Sequence, residues 1–385
     1  MNFITRLLTR FGSAGSQGSE GSIKETESGP KPTKLTDLPT ELVLMILDYV
    51  SPVDAACLTL CNHHFLRVLG TQSWTALDSG LRELFLTRLT SDLPFHFFCH
   101  FCSVIHSCKD MLPPGPASLR YKYPARHSEE LRMLHTNSLV GLVSVHEGRW
   151  CWYHFNFFHL QLAMKRYYNG PPHGLSTESL SFTQVEFSAT NSITTLSSVE
   201  GRICQGPSLC MRFQNWALFN AATLDEFLSQ IDFIFICGHD TMTWHLSYFA
   251  PLFAAALEGP RTDENGMRID PEIHRCSRCG VEYQIEVMNY GDLGLALVIT
   301  KWLDLGPGLR PTDAEWNGLF DRQIKQLPAG KSVGDTRSLF EREPGLSLES
   351  LTWKNKSCLL TESYKKSMDQ LDNRTWILQG PRGPC

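Results

Sequence analysis

The sequence predicts an α+β protein: three short N-terminal helices, then a mixed α/β body with antiparallel hairpins. Three observations carry this expectation. Leu38, Leu42, Ile46 and Val50 recur at helical spacing near the start of the ordered chain. Alternating strand-like runs, broken by Gly and Pro, fill the middle. Two Cys-x-x-Cys pairs, Cys99/Cys102 and Cys276/Cys279, are spaced as ligand turns that would staple such a body.

The order of elements follows from local signals. Residues 1–34 are read as a linker, because GSAGSQGSEGSIKETESGPKPTK carries too little apolar surface to offset chain entropy. Residues 1–11 hold arginines and no acids, which weakly suggests a presequence; a frayed terminal helix is the favoured reading. The first helix opens near Pro39, whose missing N–H costs nothing in a first turn. Ser51-Pro52-Val53-Asp54 starts a second helix with a Ser cap, a Pro and an acid three residues later. A third runs through Phe65, Leu66 and Leu69 and stops at Gly70. Three such helices in some forty residues close too small a core to leave their apolar face uncovered without consequence. That face calls for a partner or for the rest of the chain.

These residues carry a resemblance. LPTELVLMILDYV, then Pro52, Asp54, Ala55, Leu58 and Phe65, resemble an F-box over residues 35–72. The helix through Leu77, Leu81, Leu84, Phe85 and Leu89, its Ser91-Asp92-Leu93-Pro94 ending, and Cys99, Cys102 and Ile105-His106 are similar to a group of fungal F-box proteins. The Trp302-Leu303-Asp304-Leu305-Gly306 turn is similar to the same group. The resemblance implies a non-catalytic adaptor in a cullin–RING (SCF-type) ubiquitin ligase, cytoplasmic or nuclear. It would bind a Skp-type adaptor through Leu38, Pro39, Leu42, Ile46, Leu47, Val50 and Leu58. Residues 73–327 would receive a protein substrate. The alternative is a zinc-stabilised enzyme or redox sensor whose helices pack on their own chain.

In the body, FHLQLAMKRYYN reads as a helix with Leu160, Ala163, Met164, Tyr167 and Tyr168 inward. SFTQVEFSAT, ITTLSSVEGRIC and SLCMRFQNWALF read as strands, and VEYQIEV and LALVIT as a hairpin around NYGDLG. Thr312 to Glu315 is a capping box that opens a helix with Trp316. Residues 328–385 read as a polar, mobile tail, and the NKS and NRT triplets within them as accidental sequons.

Composition narrows the function. The net charge of −5 provides no basic field for nucleic acid or an anionic membrane. The 13 cysteines are odd in number and no secretory leader is evident, so reduced thiols are expected rather than a disulfide framework. No run reaches the length of a membrane helix. There is no Walker-type loop, G-x-S-x-G elbow or H-E-x-x-H. Cys237-Gly-His239-Asp240 holds nucleophile, base and acid types, but adjacent residues rarely converge on one reacting atom. The aromatic run from Trp150 to Leu160 is read as core.

The remaining chemistry is ligation. Structural zinc takes four Cys or His ligands, and a Cys-x-x-Cys followed by Gly lets two thiolates face one ion. Cys99, Cys102, His106 and Cys108 would form one local set, and Cys237, His239, Cys276 and Cys279 a second. Joining Cys99/Cys102 to Cys276/Cys279 is equally legal by spacing; the local arrangement is preferred. Cys57, Cys61, Cys151, Cys204 and Cys210 are expected to be small buried hydrophobes. A redox pair at Cys276/Cys279 would need a helix N-terminus, whereas a strand follows.

Overall fold

The computed structural model describes residues 37–108, 114–116, 138–140, 142–145, 152–188, 193–219, 231–237, 239, 246–258, 271–320, 334–361 and 374–379. The chain divides into two compact units, the first ending at Ala76.

The first unit is helical: α1 (Thr40–Leu47), α2 (Pro52–Cys61), α3 (His63–Leu69) and the single turn α4 (Gln72–Thr75). Pro39 stands just outside α1 and its carbonyl accepts from Leu42 and Val43. Ser51 caps α2, accepting the Asp54 N–H at 3.1 Å and donating its hydroxyl to the Asp54 carboxylate at 2.6 Å. Asn62 caps α3 through the Phe65 N–H at 3.0 Å. Buried Thr59 on α2 donates to the Ala55 carbonyl and meets the Ser73 hydroxyl of α4 at 3.0 Å. Val43, Val53, Ala56 and Phe65 are the buried apolar side chains, so the unit has a thin core. Cys61, expected to be buried, is exposed on the last turn of α2, and Cys57 is half-buried.

The second unit is mixed, so the chain is an α+β protein. It opens with α5 (Ser79–Ser91), capped by the Asp78 carboxylate. A hairpin follows, β1 (His96–Cys99) with β2 (Val104–Ser107). Short strands β3 (Gly115–Pro116), β4 (Ser138–Val140) and β6 (Trp152–His154) make a small sheet, and β5 (Leu142–Val145) pairs with β10 (Ile231–Phe235). The main sheet has seven strands, all pairs antiparallel, in the order β11-β12-β13-β9-β8-β7-β14. These are β7 (Phe182–Ser188), β8 (Ile193–Cys204), β9 (Ser208–Phe219), β11 (His274–Arg275), β12 (Glu282–Asn289), β13 (Leu295–Asp304) and β14 (Arg374–Gln379). The expected β12–β13 hairpin is present, with Glu282 opposite Trp302 and Asn289 opposite Leu295.

Side chains alternate across each strand, so the sheet has two inner faces. On one face Leu209, Met211, Phe213, Leu297 and Ile299 pack with α6 (Phe157–Asn169), α7 (Leu246–Glu258) and α8 (Ala314–Phe320) through Leu160, Met164, Phe253 and Trp316. Tyr153, Phe155 and Phe157 of the aromatic run lie in this core. On the other face Trp216, Val298 and Trp302 meet α9 (Asp335–Arg342) and α10 (Leu348–Leu360) through Phe340 and Leu359. Cys204 and Cys210 are buried there, whereas Cys151 lies outside the described residues.

Two expectations are corrected. On α6, Tyr167 and Tyr168 are exposed, and Leu162 and Lys165 are buried instead. A second layer explains this: Leu162 packs on the β1–β2 hairpin with Phe97 and Leu175, and Lys165 donates to the Leu93 and His96 carbonyls at 2.6 and 2.8 Å. The segment 328–385, expected to be a mobile tail, supplies α9, α10 and the edge strand β14. Its polar residues are polar because their partners are. Arg212, fully buried on β9, binds both oxygens of Glu341 at 2.7 and 2.9 Å and also bonds to Glu200. Arg202 donates to the carbonyls of Phe340, Glu343 and Leu346. Gly345, at φ 152, lets the chain pass where a Cβ would strike that guanidinium. Buried Glu282 accepts the N–H groups of Gly334, Thr336 and Arg337, neutralising the N-terminal end of α9. Asn355 of the first sequon is buried and donates to Gln214 at 2.7 Å. Residues 364–371, where the sequence reads as a weak helix within that tail, lie outside the described residues.

Candidate metal centres

The β1–β2 hairpin builds the first cluster. Cys99 ends β1, Cys102 sits in the turn and His106 lies on β2, in register with Phe97. The donor atoms of Cys99, Cys102 and His106 all lie within 4.8 Å of one another, with Cys102 Sγ 3.0 Å from His106 Nε2. Burial, then the neighbouring Cys99, pushes the Cys102 thiol up to about 11. Cys108, the expected fourth ligand, is not in this group. Its N–H bonds to the Phe95 carbonyl and its side chain is buried with Phe97, Leu162 and Leu175. Cys108 stands just past the end of β2, and its thiol is taken into the apolar cluster beneath the hairpin rather than into the ligand group. His100, between the two cysteines, turns instead to Glu83 at 3.2 Å, and its burial lowers its pKa.

The second cluster joins two distant segments. Cys237 and His239 follow β10; Cys276 and Cys279 form the turn between β11 and β12. Gly280, at φ 72, closes that turn, donating its N–H to the Cys276 carbonyl at 3.0 Å, while the Cys276 N–H reaches Val281 at 2.9 Å. The backbone N–H groups of Arg278 and Cys279 are directed at the Cys276 sulfur. The donor atoms of Cys237, His239, Cys276 and Cys279 lie within 4.8 Å of one another. A four-coordinate ion with metal–sulfur bonds of about 2.3 Å holds its sulfurs about 3.8 Å apart, so the group could hold a metal ion. Cys237 and Cys276 are buried in the main core, with Cys279 packed against it.

Contacts with Cys237 and Cys279 hold Cys276 well below the ordinary thiol range. Cys237 is pushed up to about 12, first by its contact with Cys276, and Cys279 is pushed up by its contacts with Cys237 and Cys276. The two Cys-x-x-Cys pairs fall in separate groups, so the crossed pairing is not formed.

One neighbour of the cluster was not singled out in the sequence. Lys301 on β13 is buried, with its Nζ 3.5 Å from the Ile236 carbonyl and 5.8 Å from the centre of the Phe213 ring. Burial pushes its pKa down to about 7, an effect that Cys237 opposes. The signal was a lysine inside an otherwise apolar strand, LALVITKWL.

The expected docking residues lie on the first unit. Pro39, Leu42 and Ile46 are exposed, and Leu38, Leu47, Val50 and Leu58 are half-buried. Leu44, Met45 and Tyr49 join the exposed set, at 47%, 57% and 89%. Among the described residues no helix is long and apolar enough to cross a membrane. Comparison of the chain with family models, curated proteins and solved structures finds no match.

Proposed function

We propose that this chain is a non-catalytic adaptor, the substrate-recognition subunit of an SCF-type cullin–RING ubiquitin ligase. Its N-terminal helices dock on a Skp-type adaptor, and the body receives a protein substrate in the cytoplasm or nucleus. The observation that carries the reading is the apolar stripe of α1, where Leu42, Leu44, Met45 and Ile46 are all exposed while Val43 alone is buried. A helix with that distribution holds its own unit through Val43 and presents the rest as the kind of apolar surface that a partner's groove covers. Fully burying a side chain of this size from an exposed state contributes about 1.5–3 kcal/mol, which a complex sets against the cost of association. Cys237, His239, Cys276 and Cys279 hold a structural zinc in this reading, tying the end of β10 to the β11–β12 turn; Cys99, Cys102 and His106 are ligands of a second ion.

The test is co-purification of the full chain with a recombinant Skp-type adaptor. The wild-type chain is expected to form a one-to-one complex. The double substitution Leu42→Asp and Ile46→Asp is expected to abolish it while leaving the circular dichroism and melting temperature in place. A wild-type chain that does not bind, or a double variant that binds as well, overturns the proposal.

A further inference from the structure

The second cluster brings three thiols and one imidazole together against the main core. A divalent ion held by three thiolates and a neutral imidazole carries one net negative charge. A buried charge is costly unless an opposite charge lies near it. The sheet supplies one. Lys301 stands opposite Tyr283 of β12 and Phe213 of β9, and Tyr283 in turn stands opposite His274, two residues before Cys276. Its Nζ lies 3.5 Å from the carbonyl of Ile236, the residue preceding Cys237. The lysine shares its face of β13 with buried Leu297 and Ile299.

We infer that Lys301 is the counter-charge of the Cys237–His239–Cys276–Cys279 centre, a positioning residue that stabilises the three-thiolate, metal-bound form from across the sheet. The inference rests on the reading of that cluster as a metal site. It deepens that reading by assigning the centre its charge: anionic, and balanced from within the core by a strand that donates no ligand. It also gives a reason for a lysine in the middle of a fully buried strand. The ammonium and the centre form a pair whose members are each disfavoured alone.

The pair is broken by Lys301→Met, which keeps the length and removes the charge, and by Lys301→Gln, which removes the charge but keeps a donor for the Ile236 carbonyl. Zinc affinity is measured on the full chain by competition with a chromophoric chelator. The equivalent that belongs to this centre is identified as the one lost in Cys276→Ser. Both lysine variants are expected to weaken that equivalent at least tenfold and leave any other unchanged. Lys301→Met is also expected to leave the melting temperature of the metal-free chain equal or higher, an outcome that a merely structural lysine would not produce. In a Cys237→Ser background, where the centre is neutral, Lys301→Met should weaken zinc less than threefold. Affinity within twofold of wild type in both lysine variants overturns the role of Lys301 alone. Rescue by Lys301→Gln also overturns it, since hydrogen bonding would then be the cause. A wild-type chain that takes up no zinc at this centre, or one whose stoichiometry Cys276→Ser leaves unchanged, overturns the metal reading and the inference together.

Discussion

The N-terminal unit wears large apolar side chains on its outside, whereas the body hides charged ones inside. On α1, Leu42, Met45 and Ile46 face solvent, as does Tyr49 just beyond it. In the body, Arg212, Glu282 and Lys301 are buried, and each has partners brought from far along the chain or across the sheet. The difference teaches what each region is finished for. A buried charge with its hydrogen bonds in place marks a contact completed within the chain. In the proposed reading, the exposed apolar stripe on the thin helical unit is a contact that another molecule completes.

That comparison can be broken at its interior end first. Glu341→Ala removes the acceptor of both Arg212 and the Trp302 indole N–H, leaving a guanidinium with no exposed surface of its own. Arg212 keeps Glu200, so the expected loss is about 1.5–3 kcal/mol, read as a lower urea midpoint of the body. Chelation should come next: removal of a structural ion from the second cluster is expected to lower the melting temperature of the body, and re-addition of zinc to restore it. A melting curve indifferent to chelator would contradict the metal assignment. Glu282→Gln should cost less, about 1–2 kcal/mol, because an amide oxygen still accepts from the start of α9. Ile46→Asp should cost least, within about 0.5 kcal/mol, since the side chain already meets water; a larger loss would mean that α1 is packed rather than presented.

Much of this was legible in the sequence, for a physical reason. Features set by neighbours a few residues apart could be read: the Ser51 cap, the stop at Gly70, the β12–β13 hairpin, and the Cys276–Cys279 turn closed by Gly280. Features set across the chain could not. Arg212 and Glu341 are 129 positions apart, so the last helices looked like a polar tail until the sheet supplied their partners. Tyr167 and Tyr168 obey helical periodicity, but the hairpin against α6 shifts the buried face toward Leu162. Cys108 fits a ligand spacing on paper, but its side chain is packed into the apolar cluster with Phe97, Leu162 and Leu175. Spacing alone left the choice between local and crossed cysteine pairs open, and the fold separates the two groups.

The central claim is that the α1 stripe is a docking surface. Isothermal titration of a recombinant Skp-type adaptor into the full chain tests it most directly. The account predicts one-to-one binding with a negative heat-capacity change, as apolar burial requires, and loss of that binding in the chain carrying Leu42→Asp and Ile46→Asp. No heat of binding with the wild-type chain, or equal affinity in the double variant, would contradict it.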